Sequence, residues 1–155
     1  MNENDHHLIK EPATVALDEV ARGTRELLEV YRLLAGDLEG HELRARLEGY
    51  QAYLSTALEQ LIAARQAAGE LPDAGDIEHA QWRSLGLRIK SLLSAEPEVA
   101  ILLREAAAEN RTLAEQIEGA RAQHPSPAVL QALAQLAKVV TEQGDALERN
   151  ASSRS

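Results

Sequence analysis

Four separate stretches of this chain place apolar residues at alternating intervals of three and four, and that spacing constrains the fold more than any other feature. The first runs Leu17, Val20, Thr24, Leu27, Tyr31, Leu34; the second Leu43, Leu47, Tyr50, Leu54, Ala57, Leu61, Ala64, Ala68. A later one runs Val99, Leu103, Ala106, Asn110, Leu113, Ile117, Ala120, and the last Val129, Leu133, Leu136, Val140, Gln143, Leu147. At 3.6 residues per turn, each set forms one stripe along a helix, and the other faces carry Glu, Arg, Gln and Lys. A helix with a single apolar stripe is marginal alone in water, whereas four of them closing on one another bury all four stripes. Composition agrees. The 155 residues include no Phe, 9 Gly and 5 Pro, with Ala, Leu, Glu, Arg and Gln dominant, a mixture that favours helix over sheet. Hydrophobic residues at 45% and charged residues at 26% describe a globular chain of one ordinary domain.

Proline and glycine mark the ends of these stretches. The first follows Pro12 and stops at Gly36; the second begins near His41 and stops at Gly69. Ser94 and Pro97 read as N-cap and first turn of the third long helix, and Ser126 and Pro127 as cap and first residue of the last. Only about five residues, Gly36 to Gly40, separate the first two helices, so they are expected to be antiparallel neighbours; the last two are separated by His124 to Ser126. Residues 70 to 95 are long enough to cross the bundle and carry a short stripe of their own, Trp82, Leu85, Ile89, Leu92 and Leu93, with Trp82 the expected anchor. The expected fold is all-α: a ferritin-like four-helix bundle, two antiparallel hairpins joined by a long crossover containing a short helix. Residues 1–12 are expected to be a flexible N-terminal segment, 13–149 one four-helix-bundle domain, and 150–155 a flexible tail that frays.

Several functions are disfavoured at once. Without cysteine there are no disulfides, thiolate metal sites or cysteine nucleophiles. Neither a glycine-rich phosphate loop nor a Gly-x-Ser-x-Gly elbow is present. A formal net charge of −9 opposes capture of nucleic acid. Met1 to Pro12 is polar, with no basic region leading into an apolar one, and no apolar run approaches the ~20 residues that span a bilayer. The expected compartment is the cytoplasm, with neither nucleic acid nor membrane as a partner.

The topology itself raises a chemical possibility. Ferritin-like bundles hold two iron or manganese ions between inward carboxylates and Glu-x-x-His pairs. This chain has no Glu-x-x-His. His6 and His7 lie in the N-terminal segment, His41 at a helix tip, His79 on the crossover and His124 in a turn. Mid-seam positions carry Thr24, Leu27 and Asn110, which supply no anionic ligand. The expectation is therefore no catalytic residue, no cofactor and no metal site, with an all-carboxylate set at Glu26, Glu48, Glu109 and Glu142 as the weaker alternative. Thr24, Asn110 and Gln143 are polar seam residues that either hydrogen-bond one another and fix register, as a buried Asn does in coiled coils, or face solvent. Tyr50 lies on the seam and Tyr53 off it. Arg83, Arg88 and Lys90 make a basic patch on the crossover, either a solvated face or a docking point.

Three segments carry a family resemblance: Leu38-Glu39-Gly40-His41-Glu42-Leu43, His79-Ala80-Gln81-Trp82, and the run from Ala100 to Asn110. Together they resemble a bacterial ferritin-like family of four-helix-bundle proteins of unknown function, over roughly residues 13 to 149. The resemblance implies the bundle fold and no established reaction. It would align an acidic pair with Glu109 and Asn110, and a late His with the stretch Gln143 to Asp145, which has none. On these grounds the chain is expected to be a small metal-free interaction or stress-associated protein that self-associates, as a homodimer or otherwise, through alanine-rich helix faces. Two alternatives stand beside it: a divergent di-metal carboxylate protein, and a chaperone-like module that binds a partner helix in a groove.

Overall fold

The computed structural model describes residues 11–38, 42–70 and 98–154. Among them the regular structure is entirely helical: α1 (Pro12–Asp37), α2 (Glu42–Ala67), α3 (Val99–Arg121) and α4 (Pro127–Ser153). Local chemistry sets their ends. Pro12 opens α1, where a fixed φ suits the first turn and a missing N–H is no loss. Ser126 caps α4 as its spacing predicts, its Oγ accepting from the Val129 N–H at 3.4 Å. Past α2, Gly69 adopts φ +84°, and the Glu70 and Gly69 N–H groups donate back to the Arg65 and Gln66 carbonyls. That is a Schellman closure, which needs a left-handed residue.

Two boundaries differ from the sequence expectation. Helix α3 begins at Val99 with Glu98 at its N-cap, not at Ser94 and Pro97, because the Glu98 backbone is extended (ψ 146°) and its carbonyl accepts from the Ile101 and Leu102 N–H groups. Ser94 and Pro97 lie outside the described residues, as do His6, His7, His41, His79, the basic patch, Trp82 and the rest of the crossover. The tail expected to fray from Asn150 is instead helical to Ser153. Ala151 is fully buried there, Asn150 Nδ2 donates to the Ala146 carbonyl, and Arg46 of α2 donates to Asn150 Oδ1 at 3.2 Å.

Each helix packs against two others. The sides of the bundle are α1–α2, α3–α4, α1–α3 and α2–α4, which leaves α1/α4 and α2/α3 on the diagonals. Facing residues give the directions. Gly23 of α1 lies against Leu113 and Gln116 of α3, while Tyr31 meets Asn110, so those helices run antiparallel. Arg46 meets Asn150 and Tyr50 meets Gln143, so α2 and α4 are also antiparallel. The seams form the interior as their spacing predicts, with Leu17, Leu47, Leu103 and Leu133 among the fully buried side chains. One end of the second seam departs from it: Ala68 is exposed, and Arg65 is buried nearby. No helix is long and apolar enough to cross a membrane, among the described residues.

Candidate functional site

Midway along the bundle the apolar interior gives way to a polar layer to which all four helices contribute. Tyr31 of α1 donates its phenolic O–H to Asn110 Oδ1 of α3 at 2.8 Å. Asn110 Nδ2 donates to the Val140 carbonyl of α4, also at 2.8 Å. Gln143 of α4 donates from Nε2 to the Tyr50 carbonyl of α2 at 3.0 Å. The two tyrosine rings stand 6.0 Å apart at 55°, a tilted aromatic pair. Gly144 makes room for this arrangement, since a Cβ there would lie 3.0 Å from the Asn110 Cβ. Burial pushes the Tyr31 phenol above its ordinary pKa, the Asn110 bond opposes the shift and the nearby Tyr50 adds to it, so the layer is uncharged at neutral pH.

Thr24, Asn110 and Gln143 are all buried. They do not bond one another. Thr24 donates to the Val20 carbonyl of its own helix at 2.7 Å, which satisfies the hydroxyl without a cross-helix bond. Asn110 and Gln143 tie α3 to α1 and α4, and α4 to α2. The four acids of the all-carboxylate alternative occupy other surroundings: Glu48 is exposed and pairs with Arg44 Nε at 3.0 Å, Glu142 is exposed, and Glu26 and Glu109 are half-buried. Among the described residues no three His, Asp or Glu side chains gather where they could hold a metal ion. His124 sits exposed in the α3–α4 turn with φ 54°.

A second polar cluster, not foreseen from spacing, closes one end of the α1–α2 hairpin. Arg65 donates to Asp18 Oδ1 at 2.9 Å and to Glu70 Oε2 at 2.5 Å. Burial works against the guanidinium charge, but the bonds to Glu70 and Asp18 outweigh it and hold its pKa above the ordinary value. The small residues Ala64 and Ala68 on that seam were the available signal, since a stripe that ends in alanine leaves room for a long neighbour to fold inward.

Two concavities lie between α2 and α4. One, of about 310 Å³, is lined by Arg46, Gly49, Tyr50, Tyr53, Val139, Glu142 and Gln143. The other, shallower and about 660 Å³, is lined by alanines and glutamines, including Ala64, Ala128, Ala134, Gln60 and Gln131, with Lys138 its one charged residue. No protein-family model, curated protein or solved structure significantly matches the chain.

Proposed function

We propose that this protein is a ferritin-like bundle without catalytic chemistry, a small interaction or stress-associated protein that works through its surface and associates with copies of itself. The central layer carries the proposal. At the level where a di-metal bundle gathers carboxylates, the residues are Tyr31, Tyr50, Asn110 and Gln143, each engaged in an uncharged hydrogen bond or ring contact. Such a layer specifies which helix lies beside which and supplies neither anionic ligand nor nucleophile.

Helix directions support the ferritin-like comparison. With α1 antiparallel to both α2 and α3, the end of α2 and the start of α3 lie at opposite ends of the bundle, about 39 Å apart for 26 residues at 1.5 Å each. Two hairpins whose joined ends lie at opposite ends of the bundle are what that class of fold requires.

The shallow alanine–glutamine trough is the surface best suited to a second copy. In a chain of net charge −9 it bears no acid, and depletion of charge is the compositional mark of an interface centre. Sedimentation velocity over roughly 1–200 µM should show a concentration-dependent dimer, and Ala134→Glu, on an exposed position of that trough, should shift it to monomer without lowering the melting temperature. A monomer throughout that range would remove the self-association element of the proposal.

A further inference from the structure

Three glycines stand well inside the helices, where glycine is the poorest helix former after proline, and two of them have an evident structural use. A Cβ on Gly23 would lie 2.5 Å from Gln116 Oε1, and one on Gly144 would lie 3.0 Å from the Asn110 Cβ. Each is a place where another side chain occupies the missing volume. Gly49 has no such occupant: nothing comes within 4 Å of a Cβ built there, and the open space is the smaller α2–α4 groove. One turn further along α2, Tyr53 is 71% exposed, the most exposed of the large apolar side chains among the described residues. On the opposite wall Gln143 is only 5% exposed, with Nε2 committed to the Tyr50 carbonyl and Oε1 buried without a partner. A buried acceptor left unbonded is costly and calls for a donor. The rim charges are not equivalent. Neither has an ion pair among the described residues, but Arg46 spends an N–H on the neutral Asn150 carboxamide, whereas the exposed Glu142 carboxylate accepts no bond there.

An empty floor, two tyrosine rings, one unsatisfied amide oxygen and one carboxylate uncommitted among the described residues define a complement: a planar ring that carries donors and a cationic arm directed to the Glu142 side of the rim. Size restricts it further. The groove holds about 310 Å³, roughly twice a 150 Å³ cavity able to take benzene, so it suits one bicyclic ring. Two turns of a partner helix, about 10 Å across at 5.4 Å per turn, would need roughly 850 Å³.

We propose that the α2–α4 groove binds a small aromatic amine, its ring over Gly49 beside Tyr50 and Tyr53, its ring donor toward Gln143 and its ammonium at Glu142. The site goes beyond the interaction function proposed above and does not depend on it, since self-association is read separately by sedimentation. Tryptamine titrated into the ¹⁵N-labelled full chain to about 1 mM should give saturable amide shifts confined to residues 46–53 and 139–143. Gly49→Leu, which fills open space, and Tyr53→Ala, which alters an exposed side chain, should each weaken binding about tenfold or more while leaving the melting temperature unlowered. Glu142→Gln should weaken it about threefold to tenfold, and indole-3-propionate, with the opposite charge, should bind about tenfold more weakly than tryptamine. No saturable shift, shifts elsewhere, or equal affinity in Gly49→Leu and Tyr53→Ala would each overturn the proposal. So would groove resonances that move with protein concentration alone, which would give the groove to a second copy's Tyr53.

Discussion

Tyr31 and Asn110 show how much one pair of side chains can decide in a bundle whose remaining interior is leucine and alanine. Apolar seams tolerate sliding by a heptad or exchange of neighbours; a phenol that must find a carboxamide, and a carboxamide that must find the Val140 carbonyl, do not. Tyr31→Phe keeps the ring and removes the donor, so Asn110 Oδ1 is left buried and unbonded at a cost of about 1–3 kcal/mol, measurable as a lower urea midpoint with unchanged slope. The same substitution tests a pH effect. Burial holds the Tyr31 phenol neutral to a higher pH in the folded chain than in the unfolded one, where it ionises near the ordinary value of about 10. Above that value the unfolded state releases a proton that the folded state keeps. Stability is therefore fully present below pH about 10 and falls as pH rises beyond it. Melting temperatures recorded from pH 8 to 11 should decline more steeply in the parent than in Tyr31→Phe; parallel declines would show that Tyr31 is not the coupled group.

At the scale of the helices, the same residue type has opposite consequences at two positions. Gly49→Ala adds a methyl to open space and removes the backbone freedom of glycine, and should stabilise by about 0.5–1 kcal/mol. Gly144→Ala makes the same propensity gain but drives a methyl to 3.0 Å from the Cβ of Asn110, a residue pinned by bonds to α1 and α4. Overpacking of about 1–3 kcal/mol should exceed the gain and leave that variant less stable. Paired thermal melts check both signs. Periodicity exposes the buried face of each helix, and it places Leu27, Leu103 and Leu136 in the core; it cannot say which helix a face will meet. For that reason Tyr31, Asn110 and Gln143 were legible as seam positions while their partners were not. The end of α4 was misread for a related reason, because Asn150 and its neighbours look polar until Arg46 from α2 and the buried Ala151 hold them in place. The groove had only faint marks in the sequence, a glycine in mid-helix and a tyrosine off the seam, and gained meaning once α2 and α4 were side by side.

Across the whole molecule the four packed sides are unequal, and folding energetics should follow the inequality. The α3–α4 side is the most extensive among the described residues, and at Gly144 a missing Cβ lets Asn110 of α3 pack closely on α4. The short turn through His124 and the Ser126 cap join these helices directly, so their contacts form at little loop-closure cost. The α1–α2 hairpin is also local, but its other contacts with the bundle reach α3 and α4 across distant parts of the chain. Under native conditions the α3–α4 hairpin should therefore be the last unit to open. Amide exchange should be slowest for the buried stretches of 103–117 and 133–147, with openings that expose α1 and α2 at lower free energy. Raising urea below the unfolding transition should bring the two groups together, because sub-global openings of α1 and α2 merge into global unfolding. One common exchange free energy in all four helices would mean that the central Tyr31–Asn110–Val140 chain couples the hairpins so tightly that neither opens alone. In that case Tyr31→Phe, which cuts the coupling, should be the variant in which the hierarchy appears.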